Sequence, residues 1–304
     1  MNKIICKEQF SEKVFKFEIE APLIAKSRKA GHFVIVRVGD KGERMPLTIA
    51  DSDTEKGTIT LVVQKVGLSS TKLCMLNEGD YITDVVGPLG QATHIENFGT
   101  VICAGGGVGV APMLPIIRAL KKAGNRVISV LAGRSKDLII LEDEVRESSD
   151  DVIIMTDDGS YGQKGVVTVG IEQVIQREKV DKCFAIGPAI MMKFCCLLTK
   201  KYEIPTDVSL NTIMVDGTGM CGACRITVGG KTKFVCVDGP EFDGHQVDFN
   251  EMLQRAGAFK KDELEAMLID CDAVMTLGER YQELLKTEAA KCEDRIYEPI
   301  PYMV

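Results

Sequence analysis

Short runs of alternating apolar and polar residues fill the first part of the chain, up to about residue 97. Gly, Asp and Lys turns separate these runs, which are IICKEQF, VFKFEIE, HFVIVRVG, GTITLVVQKVG and GDYITDVVG. Alternation of this kind predicts half-buried strands, and the spacing of the runs leaves little room for a long helix. The pattern therefore predicts a small closed β-barrel of about six strands, since closure removes exposed sheet edges.

The period of the apolar positions changes near residue 98. The run GTVICAGG is a continuous apolar strand, and VGVAPMLPIIRALKKAG carries apolar residues at helical spacing and ends in glycine. Strand-like and helical runs then alternate, which predicts a parallel sheet with helices on both faces. The sequence thus predicts a β-barrel domain at 1–97 and an α/β domain at 98–208.

The regular alternation ends after residue 208. Residues 209–250 are rich in glycine and cysteine and predict a small module of their own, and residues 251–304 predict a helical C-terminal extension. The apolar residues that recur there at roughly helical spacing are Leu264, Leu268, Cys271, Met275, Tyr281 and Leu285. We expect this extension either to pack on the chain's own surface or to contact a partner.

Composition narrows the class of protein. A net charge of −7, without a dense Lys/Arg cluster, argues against a nucleic-acid-binding surface. No run approaches the roughly 18 uninterrupted apolar residues of a membrane span, and the first residues lack the apolar core of a secretory signal. Several of the eleven cysteines lie within apolar runs, so we expect reduced thiols and a location in the cytoplasm.

A glycine-rich turn follows the first strand of the α/β region. AGGGVGVAP, residues 104–112, ends a buried strand and opens a helix. Backbone N–H groups at such a turn can approach a pyrophosphate, helped by the helix dipole and the missing Cβ atoms. Later strands end in further polar or glycine-containing turns at 132–135, 156–162 and 186–192. Ligands of open α/β sheets bind beyond the carboxyl ends of the strands, so these turns favour a nucleotide cleft over simple connections.

Two stretches of the barrel region could also bind an anion. RMPLTIAD, residues 44–51, places an arginine four positions before a threonine, and the two could hold a phosphate beside a flat ring. Taken alone, this stretch fits an exposed arginine on a barrel surface better. VGLSSTKL, residues 66–73, offers hydroxyl groups before a helix-like segment, which suits an anion at a helix start.

Three cysteines lie in the stretch MVDGTGMCGACRITVGGKTKFVCVDG, residues 214–239. An iron–sulfur loop of the C-x4-C-x2-C…C kind would place its first ligand five positions before Cys221, and that residue is Asp216. The spacing favours a [2Fe–2S] cluster held by Asp216, Cys221, Cys224 and Cys236. Two alternatives remain open. Structural zinc accepts three thiolates and a carboxylate, although usually with a second C-x2-C pair, and the single C-x2-C pair could instead form a redox disulfide.

Together these motifs resemble a known family. RMPLT, VGLSSTKL, AGGGVGVAP and AIGPAIMMK, in this order and ahead of a cysteine-rich segment, are similar to the ferredoxin-reductase-type flavoproteins. More narrowly, they resemble the electron-transfer subunits of dihydroorotate dehydrogenase and their relatives in sulfide dehydrogenase and in NADH-dependent reduced ferredoxin:NADP oxidoreductase. The resemblance covers about residues 1–258. The dihydroorotate branch has cysteine as first cluster ligand, whereas Asp216 is similar to the small (alpha) subunit of the bifurcating transhydrogenase.

The resemblance implies roles for individual residues, none of them in acid–base catalysis. The residues implied to contact FAD are Arg44, Pro46, Leu47, Thr48, Val63, Gln64, Lys65, Ser70 and Thr71, the last two at its pyrophosphate. Those implied to cradle the phosphates of NAD(P) are Gly105, Gly106, Gly107, Val108 and Gly109, with Gly133, Arg134 and Asp157 nearby. Those implied to shape the nicotinamide side are Gly187, Pro188 and Met191.

The resemblance also implies an activity. The barrel would bind FAD, the α/β domain NAD(H) or NADP(H), and the C-terminal module a [2Fe–2S] cluster. The chain would exchange hydride with the nicotinamide and pass electrons to or from a larger flavin and iron–sulfur subunit, in a heterodimer or a larger complex. The alternatives are an electron-transfer subunit of a dihydroorotate or sulfide dehydrogenase, and a non-enzymatic zinc-bound nucleotide sensor. Arg134 could accept a 2′-phosphate, whereas Asp157 and Asp158 could repel one, so the nicotinamide preference stays open.

Overall fold

The computed structural model describes residues 2–269 of the chain. Residues up to 258 form one compact unit. A second unit starts at residue 259 and contains helix α9 (Lys260–Ile269). Of the residues that predict a helix here, Leu264 and Leu268 lie within α9, while Cys271, Met275, Tyr281 and Leu285 lie outside the described residues.

A seven-stranded antiparallel sheet forms the first part of the compact unit. Its strands are β1 (Asn2–Ser11), β2 (Val14–Glu20), β3 (Phe33–Arg37), β4 (Met45–Asp53), β5 (Thr58–Gln64), β6 (Tyr81–Ile82) and β7 (Asp84–Leu89). They follow the order β6-β1-β2-β5-β4-β3-β7. The two edge strands, β6 and β7, are separated in the chain only by Thr83, so the sheet curls into a nearly closed barrel. The predicted barrel is thereby confirmed.

Two short helices and one interrupted strand complete the barrel. The helices are α1 (Pro22–Ser27) and α2 (Leu68–Met75). The run GDYITDVVG predicts one strand, but the structure divides it between β6 and β7. The hydroxyl of Thr83, at the break, accepts a hydrogen bond from the N–H of Gly39 at 2.8 Å, which ties the break to the loop after β3.

A parallel sheet with helices packed against it follows the barrel. Its strands are β8 (Thr100–Gly106), β9 (Arg126–Gly133), β10 (Asp151–Thr156), β11 (Gln163–Lys164), β12 (Lys182–Ile186) and β13 (Thr206–Ser209), and its helices are α3 (Val110–Lys122), α4 (Glu142–Ser148), α5 (Val167–Arg177) and α6 (Ala189–Lys201). The strand order is β11-β10-β9-β8-β12-β13. The chain proceeds from β8 toward β11 and then returns to the other side of β8. The order therefore reverses between β8 and β12, which is where ligands of such sheets bind.

The cysteine-rich stretch is a hairpin followed by a strand that joins the parallel sheet. Its elements are β14 (Arg225–Val228), β15 (Lys231–Phe234), α7 (Val235–Asp238), β16 (Glu241–Asp243) and α8 (Phe249–Ala256). Strand β16 pairs antiparallel with β13 and becomes the seventh strand of that sheet. Residues 209–250 therefore share a sheet with the α/β region and lie in the same compact unit. The division of this unit into separate domains stays a prediction.

One buried apolar cluster runs through all three regions of the compact unit. It contains Ile35 of the barrel, Val130 of the parallel sheet and Ile226 of the hairpin, each at most 1 % exposed. A shared core holds the three regions in fixed relative positions, because close-packed interiors resist displacement. Among residues 2–269, no helix has the length and apolar character needed to cross a bilayer. The cytoplasmic location stays a prediction.

Candidate functional site

The glycine-rich turn lies at the point where the strand order of the parallel sheet reverses. Strand β8 ends at Gly106, a 3-10 turn spans Gly107–Gly109, and α3 begins at the next residue. A Cβ atom on Gly106 would overlap the Sδ atom of Met191, and one on Gly109 would overlap the carbonyl oxygen of Ile186. The predicted phosphate turn and the predicted nicotinamide-side turn are therefore in contact, and glycine is required for that approach.

The ends of β9 and β10 bring further predicted residues to the same edge of the sheet. The N–H of Asp157 donates to the carbonyl oxygen of Gly133 at 3.1 Å, and the N–H of Asp158 donates to that of Arg134 at 3.2 Å. Hydrogen bonds from Ser160 hold the pKa of Asp158 below its ordinary value, so this exposed carboxylate is ionised at neutral pH. The edge thus presents an exposed arginine next to a fixed negative charge.

The predicted FAD residues lie on two neighbouring barrel strands and on the helix that follows them, except for Arg44, which precedes β4, and Lys65, which follows β5. Pro46, Leu47 and Thr48 are on β4, and Val63 and Gln64 are on β5, which pairs with β4. The ladder between β4 and β5 runs from Ile49 and Leu61 to Asp53 and Thr58, whereas Pro46, Leu47 and Thr48 pair with β3. Val63 is 1 % exposed and packs in the barrel core. The contact of these residues with a flat ring stays a prediction.

The start of α2 has a different geometry from the one that the sequence predicts. The hydroxyl of Ser70 accepts hydrogen bonds from the N–H groups of Val66 and Gly67, at 3.0 and 2.9 Å, and the Thr71 side chain is buried. The Ser70 hydroxyl therefore holds its own loop. The backbone N–H groups of the first turn of α2 have no partners within the helix, so they are the donors that suit a pyrophosphate here.

Two of the predicted cluster ligands are brought together by the hairpin. Cys224 directly precedes β14 and Cys236 lies just after β15, and the Sγ atoms are 3.2 Å apart. Both side chains are buried. Burial, and then the neighbouring Cys224 thiol, raise the pKa of Cys236 to about 12. A cysteine binds a metal as its thiolate, so a cation bound here would displace the proton of Cys236, and two adjacent buried cysteines fit a metal centre.

The other two predicted ligands form a second pair on the preceding loop. The carboxylate of Asp216 accepts hydrogen bonds from the N–H groups of Thr218 and Cys221, at 2.9 and 2.8 Å. The bond from Thr218 is the main reason that the pKa of Asp216 is lowered, so the carboxylate is anionic as a metal ligand must be. The Cys221 side chain is exposed.

Within residues 2–269, no three His, Cys, Asp or Glu side chains converge closely enough to hold a single metal ion. The four predicted ligands are arranged as two pairs instead of one set around a point. A binuclear cluster has two ligands on each iron, so the two pairs fit a [2Fe–2S] cluster.

The cluster loop rests directly on the predicted flavin surface. The Nε atom of Arg44 donates a hydrogen bond to the carbonyl oxygen of Val215, the residue before Asp216. Gly217 has a φ of +78°, and a Cβ atom there would lie 2.6 Å from Cδ1 of Leu89 on β7. Sequence analysis missed Val215 and Leu89. No local pattern marks these two residues, because each contact joins positions far apart in the chain.

Comparison with known proteins assigns this arrangement to a family. Residues 211–248 match the iron–sulfur cluster binding domain of dihydroorotate dehydrogenase B. A dihydroorotate dehydrogenase B (NAD(+)) electron transfer subunit homolog from Thermotoga maritima is 51 % identical over 263 residues, covering 86 % of this chain and 93 % of the relative. This chain belongs to the family of dihydroorotate dehydrogenase B electron-transfer subunits and their homologues. The iron–sulfur hypothesis for the cysteine stretch is thereby confirmed over the zinc and disulfide alternatives.

Other members and solved structures extend this family assignment. The dihydroorotate dehydrogenase B (NAD(+)) electron transfer subunit of Desulforamulus reducens is 30 % identical, and the match covers 81 % of this chain and 96 % of that subunit. A structure of NADH-dependent reduced ferredoxin-NADP oxidoreductase, described for flavin-based electron bifurcation, contains a chain that is 49 % identical to this one. The match has a TM-score of 0.84 and covers 88 % of this chain and 98 % of that chain. The cytochrome b5 reductase domain of Ulva prolifera nitrate reductase, at 18 % identity and a TM-score of 0.54, shares the fold. The predicted family resemblance is confirmed.

Proposed function

We propose that this family member is an FAD- and [2Fe–2S]-containing electron-transfer subunit that exchanges hydride with NAD(H) or NADP(H). It passes electrons to or from a larger flavin and iron–sulfur subunit, as part of an NADH-dependent reduced ferredoxin–NADP oxidoreductase. The observation that carries the proposal is the hydrogen bond from Arg44 to Val215. This bond joins the predicted flavin strand to the cluster loop, so the two redox centres would lie next to each other within one chain.

The glycine turn and its neighbours would hold the nicotinamide nucleotide. Backbone N–H groups between Gly107 and the first turn of α3 lie at the start of a helix, where such groups would bind the pyrophosphate. The close packing of Gly106 on Met191 supports a flat wall for the nicotinamide ring, with Gly187 and Pro188 beside it. These groups orient the ring, and no side chain of the cleft is needed as an acid or a base.

The barrel surface would hold the flavin. Strand residues Pro46, Leu47 and Thr48 would lie along the ring, and the first turn of α2 would bind the pyrophosphate. When bound, FAD supplies the conversion between two-electron hydride transfer and single-electron transfer. The chain's own task is to hold the flavin between the nicotinamide wall and the cluster loop.

The two ligand pairs would each hold one iron of the cluster. Cys224 and Cys236 form the buried pair, and Asp216 and Cys221 form the pair on the outer loop. An aspartate places a harder ligand on the outer iron than a cysteine would. The inner iron would receive only thiolates from the protein, so the two irons of this cluster would be inequivalent.

The outer side of the cluster loop is where electrons would leave or enter the chain. Met220 is 88 % exposed and Val215 is 45 % exposed, and both adjoin predicted ligands. Exposed apolar side chains around a redox centre are typical of a surface that docks a partner. This supports a partner subunit that covers the cluster loop.

Co-purification with the partner separates the proposed function from its nearest alternative. The chain is produced with an affinity tag in its native cells and its complex is isolated under argon. Recovery of a larger subunit that contains flavin and [4Fe–4S] clusters would support the transhydrogenase-type function. Recovery of a barrel-type dehydrogenase that oxidises dihydroorotate would replace it with the dihydroorotate function.

A further inference from the structure

A single carboxylate joins the barrel to the helix of the nucleotide turn. One oxygen of Asp51 accepts a hydrogen bond from Arg28 at 3.0 Å, and the other accepts one from Arg118 at 2.6 Å. Arg28 follows α1 in the barrel, whereas Arg118 lies on α3. Each oxygen of Asp51 therefore binds an arginine from a different region of the compact unit.

Asp51, Arg28 and Arg118 form an ion-pair triad. The position of Asp51 in the chain relates this triad to the predicted flavin site and to the predicted nicotinamide site. Asp51 is on β4, three residues after Thr48 of the predicted flavin surface. Arg118 is eight residues after Val110, where α3 begins, and is thus about 12 Å along the helix from the phosphate turn. The triad connects the strand that would carry the flavin to the helix whose start would carry the nicotinamide nucleotide.

The barrel side of the triad is fixed by a further contact. The Nε atom of Arg28 donates to the hydroxyl of Ser52 at 2.7 Å, and the Arg28 side chain is only 14 % exposed. With its guanidinium held at two points, Arg28 fixes the direction of the Asp51 carboxylate. The second oxygen of that carboxylate then sets where Arg118, and hence α3, can lie.

Apolar packing also joins these two regions. Buried Val14 of the barrel packs in one cluster with Val110 and Ile117 of α3. Apolar burial is favourable but non-directional, so it holds the two surfaces together without fixing their rotation. Asp51 and Arg118 are 43 % and 40 % exposed, so their pair adds little to global stability and its effect is on geometry.

We propose that Asp51 is a positioning residue for hydride transfer, which sets the angle between α3 and β4 by binding Arg28 and Arg118 together. This inference rests on the proposed function. Reacting atoms in hydride transfer must be held within a narrow range of distance and angle, and a displacement of about 1 Å can cost up to about 100-fold in rate. Loss of the triad should therefore slow the step without removing either cofactor.

The test compares Asp51→Asn with Asp84→Asn in the full-length holoprotein. Asp84 pairs with Arg37 at 2.6 Å entirely within the barrel, so its substitution removes an ion pair that does not reach α3. Flavin reduction is followed by anaerobic stopped-flow absorbance with NADH and with NADH deuterated at C4. We expect Asp51→Asn to slow flavin reduction roughly 5- to 50-fold, with a weakened charge-transfer band and unchanged FAD and iron content. Asp84→Asn should reduce at the wild-type rate.

Arg118→Met tests the same triad from the helix side. If Asp51→Asn loses its flavin, the rate of flavin reduction in Arg118→Met decides whether the triad positions the hydride transfer. Arg118→Met should slow flavin reduction to a similar extent, and Arg118→Lys should restore part of the rate. The double variant of Asp51→Asn and Arg118→Met should be no slower than either single variant, because both remove the same interaction. Wild-type rates in both Asp51→Asn and Arg118→Met would overturn the proposal, as would equal slowing in Asp84→Asn. A wild-type flavin that neither NADH nor NADPH reduces would instead overturn the proposed function.

Discussion

The Nε atom of Arg44 donates a hydrogen bond to the backbone carbonyl of Val215, across 171 positions of the chain. Arg44 begins the predicted flavin motif, and Val215 directly precedes the predicted ligand Asp216. A single side chain of the predicted flavin motif thus contacts the loop that carries a predicted cluster ligand. The contact makes the geometry of the cluster loop depend on the flavin strand.

Substitution of Arg44 tests this dependence. Arg44→Met removes both the charge and the donor, so we expect FAD affinity to fall by about 10- to 100-fold, since a hydrogen bond to a charged group contributes roughly 1.5–3 kcal/mol. Arg44→Lys keeps the charge but not the Nε donor, so it should recover flavin affinity and still alter the electron paramagnetic resonance signal of the cluster. Flavin titration and the signal are the measurements. A wild-type cluster signal in both variants would show that the contact does not set the loop.

Gly217 is expected to be essential for seating the cluster loop. Gly217→Ala adds strain at a φ of +78° and places a Cβ atom 2.6 Å from Leu89. Gly230→Ala is the matched control, because Gly230 has a φ of +73° but nothing within 4 Å of its Cβ position. Each should lose about 1–2 kcal/mol of stability from backbone strain. Only Gly217→Ala should also lose iron, and equal iron content in the two would refute the seating role.

Asp216 is expected to be a ligand of the outer iron. Asp216→Ala should lose or destabilise the cluster and leave the flavin content unchanged, because the FAD surface lies on other elements. Asp216→Cys offers a thiolate at the same position and should retain iron with a shifted signal and potential. Iron analysis and resonance spectra decide the question. Intact iron and an unchanged spectrum in Asp216→Ala would remove Asp216 from the ligand set.

Glu241 on β16 should make stability depend on pH. Its carboxylate accepts a hydrogen bond from the Thr93 hydroxyl at 2.7 Å, beside the ion pair of Lys182 and Asp207. Burial raises the pKa of Glu241 from 4.5 to about 7; the Thr93 bond opposes the shift, Asp207 adds to it and Lys182 opposes it. The folded state thus binds this proton more tightly. The stability that the protonated group contributes is fully present below pH 4.5 and is lost as pH rises through about 7.

Glu241→Gln keeps the acceptor for Thr93 and removes the charge, so it should raise the free energy of unfolding at pH 8 by about 1–3 kcal/mol. At pH 4.5 and below it should make no difference. Glu55→Gln, at an exposed turn, controls for the loss of one negative charge. Denaturant unfolding across pH 4–8 is the measurement. Parallel stability curves for wild type and Glu241→Gln would contradict the raised pKa.

Local sequence patterns predict the elements of this fold but not its long-range contacts. Continuous apolar runs such as the one in β8 and the glycines after it are local signals, and the structure confirms them. The run LIILEDEVRES predicts a helix from its first residue, but α4 begins at Glu142 because Leu141 has a φ of +55°. Acidic residues suit the first turn of a helix, whereas the apolar residues before it pack in the core instead.

The candidate site shows the same division between local and long-range information. The spacing of Cys221, Cys224 and Asp216 predicts ligands, and Gly229–Gly230 between two short runs is a local signal for the hairpin. Only the structure shows that this hairpin brings Cys224 next to Cys236. Ser70 was predicted at the flavin pyrophosphate as a hydroxyl, and only the structure places that hydroxyl on its own loop. Side-chain direction and loop closure depend on the packed chain, so the sequence alone does not determine them.

The most direct test of the central claim is an anaerobic spectrum of the purified chain before and after addition of NADH. Visible absorbance measures the flavin, and electron paramagnetic resonance measures the reduced cluster. The account predicts that NADH bleaches the flavin and that a reduced [2Fe–2S] signal forms, either with NADH or with a stronger reductant. A colourless protein that contains zinc would contradict the electron-transfer function and leave only the fold.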